Sequence, residues 1–288
     1  MSVIVGVLSA LTAAFGWALS SVLIKIGMRN KKAVSVNIIR LYVVSIIYAI
    51  VFLFTGGFEE IASLSSKQLL IAFISGQFGF VIGDYFYLNA LKITGVSRTV
   101  PVTSSYPLWT ILWAFLFLGR SINAQIIVGA FLVFLAILLV RQTEEEEKID
   151  PKGLIFAILA PISWSLAITT LDYLSSQISA MTLSGVRLMM ASLGVSLLIP
   201  QYWGDIKRFN LREFGVVSLA AIFGLFIGQY AFVTSVGTLG SQIATPITAV
   251  NPIIASYLAI VFLKEPPNRK IILSLVSAVV GIILISLA

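Results

Sequence analysis

The sequence predicts an all-α polytopic membrane protein with ten transmembrane helices in two inverted five-helix repeats. Hydrophobic residues make up 59% of the 288 residues and charged residues only 11%, whereas a soluble domain carries about 25% charged residues. Ten stretches reach the length of about 20 apolar residues that crosses a bilayer. The second half of the chain also repeats residues of the first half at constant spacing, which indicates an internal duplication.

The predicted spans are joined by short connections, so we expect no soluble domain. The first repeat, residues 1–141, contains spans at 3–27, 34–55, 67–91, 96–118 and 122–141. An acidic linker follows at residues 142–151, where a run of glutamates is typical of a solvated segment. The second repeat, residues 152–288, contains spans at 152–173, 179–199, 211–236, 241–263 and 268–288.

The duplication is clearest from Gly83 to Gly119, where the sequence predicts a helix ending near Leu91, a turn from Lys92 to Ser97 and a second, broken helix. An offset of 145 residues (228 − 83) joins the equivalent positions Gly83 and Gly228, Tyr85 and Tyr230, Gly95 and Gly240, Pro101 and Pro246, Thr103 and Thr248, and Pro107 and Pro252. Earlier in each half the offset is 147 (164 − 17), which joins Trp17 with Trp164, Arg40 with Arg187, and Ser45 with Ser192.

The repeated prolines Pro101, Pro107, Pro246 and Pro252 predict helix breaks within the fourth and ninth spans. Proline has no N–H and its ring crowds the carbonyl four residues earlier, so each is expected to free a backbone acceptor. A bilayer tolerates such acceptors only where they face protein or water. The breaks therefore indicate a polar cavity near the middle of the membrane.

Polar and aromatic residues around these breaks are candidates to line that cavity, where they could stack on apolar groups and hydrogen-bond polar ones. The predicted substrate-binding residues are Trp17, Tyr85, Thr103, Tyr106, Trp164, Tyr230, Thr248 and Asn251. Taken alone, a tryptophan in a span is more often a packing or interface residue. The repetition of several of these residues in both halves favours the cavity.

Four charged residues lie within or at the ends of spans, where charge is rare enough to indicate function. Arg40 and Asp84 lie at similar depth, each about 10 Å from the same surface by helical rise, and are predicted to pair as an inner gate. Gln229 occupies the position equivalent to Asp84, so Arg187 lacks that partner and Asp172 is an alternative one. A permanent structural ion pair, or arginines that extend to the interface, are the competing interpretations.

The basic residues predict the orientation of the chain. Of the 19 Lys and Arg residues, Arg40 and Arg187 lie inside spans and two, Lys67 and Arg120, lie on one set of connections. The remaining 15 lie on the alternate connections or at the adjoining span ends: Lys25, Arg29, Lys31, Lys32, Lys92, Arg98, Arg141, Lys148, Lys152, Lys207, Arg208, Arg212, Lys264, Arg269 and Lys270. Positive connections stay in the cytoplasm, so both termini are expected to be extracytoplasmic. Five spans per repeat then invert the second repeat relative to the first.

The chain contains neither cysteine nor histidine, which excludes disulfides, thiolate or imidazole metal sites, and Ser-His or Cys-His catalysis. We expect no cofactor and no nucleic-acid partner, because no nucleotide-binding motif is present and the basic residues flank apolar spans. An intramembrane aspartyl protease is one alternative, since Asp84 and Asp172 lie in spans. Val81, however, stands where the Gly-x-Gly-Asp pattern needs glycine, so we expect no enzyme activity.

The segments NALKITGVSRTVPVTSSYP and FLFLGR in the first half, with TPITAVNP and VFLKE in the second, make the chain similar to the drug/metabolite transporter superfamily, specifically the EamA-like ten-helix transporters. The resemblance covers essentially the whole chain. Members typically end the fourth and ninth helices with Leu-Gly-Glu. Here Arg120 replaces the first Glu, and Lys264 replaces the second Gly before Glu265.

The resemblance implies a multi-pass plasma-membrane protein that acts as a secondary transporter and exports a small organic metabolite, such as an amino acid, by alternating access. The expected partners are the substrate and the lipid bilayer. Protons are a further candidate as coupling ion, with Asp84 as the best placed carboxylate, while uniport and exchange are the alternatives. A lipid-linked sugar is an alternative cargo. The sequence gives no indication of the oligomeric state.

Overall fold

The structure, a computed structural model, describes residues 2–27, 31–103, 105–140, 150–251, 253–254, 257–258 and 269–287. Within these ranges the regular elements are helices and no strand occurs, so the predicted all-α class is confirmed. Pro252 and residues 142–149 of the predicted linker lie outside the described ranges.

The first half of the chain forms a series of helices that follow the predicted spans. They are α1 (Val3–Gly27), α2 (Ala33–Thr55), α3 (Gly57–Ser63), α4 (Ser66–Gly76), α5 (Gly83–Thr103), α6 (Tyr106–Leu118) and α7 (Ala124–Val140). A turn of π-helix, Gln77–Ile82, joins α4 to α5. The third predicted span is therefore one continuous helical segment that changes its hydrogen-bond spacing in the middle.

The second half has a matching series. Its helices are α8 (Pro151–Ser175), α9 (Ala180–Val195), α10 (Ile199–Ile206), α11 (Leu211–Ala221), α12 (Gly228–Leu239), α13 (Ser241–Thr248) and α14 (Arg269–Ser286). A 3₁₀ turn, Ser196–Leu198, joins α9 to α10, and a second turn of π-helix, Ile222–Ile227, joins α11 to α12.

Six helical segments among the described residues are long and apolar enough to cross a membrane. They are Val3–Ile24, Ala33–Thr55, Ser66–Ala90, Pro151–Ser175, Ala180–Ile206 and Leu211–Leu239. Two shorter apolar helices, Tyr106–Leu118 and Ala124–Leu135, lie in the fourth and fifth predicted spans. The helical membrane architecture thus agrees with the sequence, and the total of ten spans stays a prediction.

The structure corrects the predicted turn between the third and fourth spans. Residues 92–97 are helical, because α5 runs without interruption from Gly83 to Thr103. The equivalent place in the second half does turn: α12 ends at Leu239, and Gly240 takes a φ of +79°, which glycine adopts without steric cost. Its equivalent, Gly95, lies within α5, where a glycine costs the helix only about 1 kcal/mol relative to alanine.

Two of the helix ends near the repeated prolines fall at equivalent threonines. α5 ends at Thr103 and α13 ends at Thr248, each two residues after the first proline of its repeat. α6 begins at Tyr106 with Pro107 in its first turn, where a missing N–H costs no hydrogen bond. In the first repeat the helix is therefore interrupted between its two prolines.

The two π turns occupy equivalent positions, since 77 + 145 is 222 and 82 + 145 is 227. Each presents a carbonyl to a helix of the other repeat. Phe78 O accepts a hydrogen bond from Ser163 Oγ of α8 (2.7 Å). Phe223 O faces Gly16 of α1 so closely that a Cβ there would lie 2.6 Å from it. Turns of π-helix occur often at functional sites, and here both lie where the repeats meet.

Contacts between the halves are reciprocal, as an approximate two-fold axis requires. Ser45 Oγ lies 2.6 Å from Ser192 Oγ, its own equivalent, so α2 and α9 meet on that axis. The Ser192 hydroxyl also lies 3.0 Å from Leu41 O, and Ser45 Oγ lies 3.4 Å from Leu188 O, the equivalent carbonyl. The two halves therefore share one interface built from the same residues twice.

The connections repeat this reciprocity. Glu60 of α3 accepts a hydrogen bond from the backbone N of Ser179, which precedes α9 (2.7 Å). Asp205 of α10 accepts one from the backbone N of Lys32, which precedes α2 (2.9 Å). Because Asp205 follows Glu60 by 145 residues and Ser179 follows Lys32 by 147, these are equivalent contacts. Each acid thus caps a helix of the opposite repeat.

Candidate functional site

The broken helices bring predicted binding residues of both repeats together. Tyr106 Oη lies 3.4 Å from Thr248 Oγ1. The Thr248 hydroxyl already donates a hydrogen bond to Thr245 O (2.8 Å), so Tyr106 is the donor in its hydrogen bond with Thr248. The ring of Tyr106 stands at 90° to the indole of Trp164, with centroids 6.4 Å apart. Tyr106, Trp164 and Thr248 therefore form one contact group, which we call the central cluster.

The two repeated tryptophans lie against equivalent glycines. A Cβ on Gly83 would be 2.5 Å from Trp164 Cδ1, and one on Gly228 would be 3.0 Å from Trp17 Cδ1. Trp17 also packs against Phe232, with ring centroids 5.1 Å apart. Glycine lets helices in a membrane approach closely. Here it lets an indole from one repeat lie directly on a helix of the other.

The remaining predicted binding residues are less clearly grouped. Thr103 is buried and Asn251 is half-buried. Tyr85 is 44% exposed and its ring packs at the periphery against Phe156, with centroids 6.5 Å apart. Tyr230 is 39% exposed. The structure therefore does not bring Tyr85 and Tyr230 into the central cluster, and a role for them in binding stays a prediction.

Asp84 accepts a hydrogen bond from Trp164 Nε1 (3.1 Å), so the carboxylate is attached to the central cluster. Arg40 interacts electrostatically with Asp84. The salt bridges found among the described residues, with N···O distances up to 4.0 Å, do not include this pair. Arg40 Nε is instead buried without a hydrogen-bond partner. In this structure the predicted partners are near each other but not joined.

Arg187 is only 3% exposed and is held by one serine. Its Nε donates to Ser75 Oγ (2.8 Å), and Ser75 in turn donates to Ala167 O (2.7 Å). The guanidinium carbon lies 5.4 Å from the centre of the Phe80 ring. Within the described part of the chain, no carboxylate forms a salt bridge with Arg187 and no acceptor bonds its two Nη atoms.

One difference between the repeats explains why Arg187 has a serine partner and Arg40 does not. The position equivalent to Ser75 is Ala220, so Arg40 finds no hydroxyl where Arg187 finds one. At the equivalent contact the serine lies on the partner helix instead: Ser20 of α1 donates a hydrogen bond to Ala220 O (2.8 Å). The helix–helix hydrogen bond is kept in both places, whereas the bond to the arginine is kept in one.

The suggestion that Asp172 serves Arg187 is wrong. Asp172 Oδ1 accepts a hydrogen bond from Arg120 Nη2 (2.6 Å), and its Oδ2 accepts from the backbone N (2.9 Å) and the hydroxyl (2.7 Å) of Ser241. The Asp172 side chain is fully buried, while that of Arg120 is 42% exposed. Asp172 thus joins the end of α6 to the start of α13 at the predicted extracytoplasmic side. Arg187 lies elsewhere, beside α4.

Arg120 and Ser241 are site residues that the predicted set lacks. A signal for Arg120 was present, since it is one of two basic residues on its side of the predicted topology and Asp172 lies at the same end. Ser75 gives no such signal, because a serine in a span is unremarkable in composition. Its role depends on which helix face it occupies.

A groove of about 420 Å³ opens between α4, α6 and α8 and is lined mainly by apolar side chains such as Ile71, Phe117 and Leu166. The predicted substrate-binding residues do not line it. Among the described residues, no group of three acidic side chains is arranged to hold a metal ion. The central cluster, Arg40 and Arg187 therefore lie outside the lining of this groove.

Comparison with known proteins identifies the family. An uncharacterized transporter of Archaeoglobus fulgidus is 27% identical over 283 residues, which is 98% of each chain. A putative sugar uptake protein of Listeria innocua is 27% identical over 252 residues, covering 83% of this chain and 84% of its own. One crystal structure, at 16% identity, matches with a TM-score of 0.80 over 97% of this chain and 95% of its own, a likeness that shows fold alone.

A model of the EamA-like transporter family matches the chain twice, at residues 4–142 and at residues 151–287. The two matches together span nearly the whole sequence. The resemblance expected from the proline-containing segments is therefore confirmed. This chain belongs to the EamA-like transporter family.

Proposed function

We propose that this protein is a secondary transporter that moves a small organic metabolite across the plasma membrane by alternating access. Family membership makes it a membrane transporter. The observation that carries the mechanism is the reciprocal interface around Ser45 and Ser192. Inverted repeats related by an axis in the membrane plane can exchange conformations, so that one side opens as the other closes.

The central cluster is the proposed substrate site. Tyr106, Thr248 and Trp164 come from both repeats and lie at or beside the broken helices, where transporters of this architecture bind their cargo. The cluster offers aromatic faces together with hydroxyl and backbone groups. Such a combination suits a small molecule with one apolar and one polar part.

Two ionic groups are the proposed gates. Arg120, Asp172 and Ser241 would close the predicted extracytoplasmic end, and Arg40 with Asp84 would close the cytoplasmic end. In the structure the first set is bonded and the second is not. Alternating access needs only one end closed at a time, so this asymmetry supports the assignment. Protonation of Asp84 would loosen the inner gate and couple it to transport.

The family resemblance and the names of relatives bear on direction and cargo. The family resemblance favours export of a metabolite such as an amino acid, with a lipid-linked sugar as an alternative. Relatives from Listeria that carry the name putative sugar uptake protein favour import of a sugar. We propose export as the physiological direction, and transport measured in both directions distinguishes the two.

The test is transport by the purified full chain in liposomes. Labelled amino acids and sugars are offered to vesicles preloaded with the same unlabelled compound, with and without a pH gradient. Tyr106→Ala should lower transport while leaving thermal unfolding nearly unchanged. Trp203→Ala, which removes an exposed aromatic of α10, is the matched control. A folded protein that exchanges none of the compounds would contradict the proposed function.

A further inference from the structure

We propose that the transported substrate carries a carboxylate and that Arg187 binds it, an inference that rests on the proposed transport function. The guanidinium of Arg187 is buried, is fixed by a hydrogen bond from Nε to Ser75, and keeps both Nη atoms without an acceptor among the described residues. These are the features of a prepared anion site rather than of a completed ion pair.

Ser75 orients the arginine without neutralising it. Its hydroxyl oxygen accepts a hydrogen bond from Arg187 Nε, and its hydroxyl group donates one to Ala167 O. The donor and the acceptor capacity of Ser75 are therefore both used. Phe80 contacts the guanidinium from another side. The arginine therefore loses little conformational entropy when an anion binds, and its planar fork can hold a carboxylate through two parallel hydrogen bonds.

The buried charges also favour an anion. Among the described residues, Asp172 is balanced by Arg120, and Asp84 interacts electrostatically with Arg40. Arg187 then remains as one positive charge without a counterion. Burying an unpaired charge in a membrane protein costs several kcal/mol, and a monovalent anion would offset that cost. A single excess charge matches a carboxylate better than a phosphate dianion.

A glycine lies beside the guanidinium fork of Arg187. A Cβ on Gly79 would lie 3.8 Å from Arg187 Nη2 and 3.4 Å from Ala167 Cβ, in van der Waals contact with both, so even a methyl group there would occupy the space beside the fork. The equivalent glycine, Gly224, stands in the same relation to Arg40, where a Cβ would be 3.4 Å from Nη2. Both copies of the duplication thus pair an arginine with a glycine of the other repeat.

The two arginines lie on opposite sides of the axis through Ser45 and Ser192. Each precedes its serine by five residues, or about 7 Å of helix. Arg40 is balanced by Asp84 and belongs to the proposed inner gate, whereas Arg187 is uncompensated. We therefore assign the carboxylate to Arg187 and not to its twin.

Matched pairs of probes test the assignment. The full chain in detergent is titrated with leucine and leucinamide, with phenylacetate and phenylacetamide, and with glucose, and binding is followed by thermal stabilisation. The parent should bind each carboxylate at least about tenfold more tightly than its amide, because a hydrogen bond to a charged group contributes about 1.5–3 kcal/mol. In Arg187→Gln this ratio should fall to about one.

Two further variants separate binding from structure. Ser75→Ala removes the hydrogen bond that holds the arginine but keeps its charge, so the carboxylate preference should persist, although weakened. Gly79→Ala keeps both Arg187 and its bond to Ser75 but fills space beside Nη2, so carboxylate binding should weaken selectively. If Arg187→Gln does not fold, Gly79→Ala decides the matter.

The outcomes distinguish the inference from the function beneath it. The carboxylate site is overturned if folded Arg187→Gln or Gly79→Ala keeps an unchanged preference for carboxylates. It is also overturned if the parent binds and transports only neutral compounds. Neither result contradicts the proposed transport function. If the folded parent neither binds nor transports any compound of either class, both the inference and the proposed function fail.

Discussion

The carboxylate of Asp172 joins three helices with its two oxygens. One oxygen bonds the guanidinium of Arg120, and the other bonds the backbone N and the hydroxyl of Ser241 at the start of α13. A fully buried carboxylate is stable only if such partners replace water. The amino end of a helix also favours a negative charge. Removing any one partner should therefore weaken the interactions of the other members of this group.

We expect Asp172→Ala to lower the free energy of unfolding by about 1–3 kcal/mol, because it leaves Arg120 and Ser241 without their acceptor. Arg120→Ala should cost at least as much, because it leaves the fully buried carboxylate of Asp172 without its counterion. The double variant should be no worse than Asp172→Ala, as coupled residues are not additive. Thermal unfolding in detergent measures all three, with exposed Arg212→Ala as control. Additive losses would contradict the coupling.

Glu60 should make stability depend on pH. Burial of its carboxylate works to raise the pKa, but hydrogen bonds from Ser179 and Thr182 outweigh it and hold the pKa below its ordinary value. A carboxyl with a lowered pKa stabilises the fold above its unfolded pKa of about 4.3 and loses that effect as the pH falls through the folded value. Glu60→Gln should therefore destabilise at pH 7 and approach the parent in acid.

The matched control for Glu60 is its neighbour. Glu59 is exposed and its side chain makes no described hydrogen bond. Glu59→Gln should leave the thermal unfolding temperature unchanged from acid to neutral pH. A loss in Glu60→Gln that stays constant across this range would mean that the hydrogen bonds to Ser179 do not depend on charge.

Residue partners were the least predictable part of the site. Arg40, Arg187, Asp84 and Asp172 could be recognised because charge within a span is rare. Their partners could not, because a partner depends on how neighbouring helices are rotated about their axes. Asp84, for example, accepts a hydrogen bond from Trp164, although no feature of the sequence around either residue indicates this pairing.

At the scale of the elements, glycines determine how closely helices approach. Gly76 ends α4 directly against α9: a Cβ there would lie 2.4 Å from the backbone oxygen of Arg187 and 3.3 Å from the backbone N of Ala191. Neither atom can move without shifting α9. Gly76 therefore sets the distance that allows Ser75, its neighbour, to reach Arg187.

Gly76→Ala should lower the free energy of unfolding by about 1–3 kcal/mol, the usual cost of overpacking, and should also weaken the hydrogen bond between Ser75 and Arg187. Gly215→Ala in α11 is the matched control, because no heavy atom lies within 4 Å of the new Cβ. That change should be neutral or stabilise by up to about 1 kcal/mol through helix propensity. Thermal unfolding compares them. Equal stability would show that α4 and α9 are not in close contact.

The positions of the six long spans followed from sequence because apolar length largely determines what crosses a bilayer. Finer features did not. A π turn adds one residue to a helical turn without a distinctive composition, so neither Gln77–Ile82 nor Ile222–Ile227 could be anticipated. The predicted turn at residues 92–97 failed because Gly95 can remain helical, while its equivalent Gly240 takes a positive φ.

At the scale of the whole molecule, the duplication accounts for most of the contacts between the halves. The offset between repeats falls from 147 at Ser45 to 145 at Glu60, so the first half has two extra residues between these points. The structure locates them in the connection after α2, where Gly56 takes a φ of +72° before α3. The second half instead continues through a 3₁₀ turn into α10. Reciprocal contacts survive because the difference is confined to a connection.

The distribution of basic residues predicts the orientation of the whole chain in the membrane. We predict that α3 is extracytoplasmic and that the start of α11 is cytoplasmic, because 15 basic residues lie on the cytoplasmic set of connections or at the adjoining span ends and two lie on the other. Glu59→Cys and Arg212→Cys place single thiols at exposed positions of these two elements. The chain has no cysteine of its own, so each label reports one site.

A membrane-impermeant maleimide should label Cys introduced at position 59 in intact cells, and label position 212 only after permeabilisation. A reporter fused to the C-terminus should behave as exported, because both termini lie on the side of α3. The opposite labelling pattern would exchange the two gates, so that Arg120 and Asp172 would close the cytoplasmic end. Arg187 would then lie on the cytoplasmic side of the axis, and substrate from the cytoplasm would reach the carboxylate site only after that closed gate had opened.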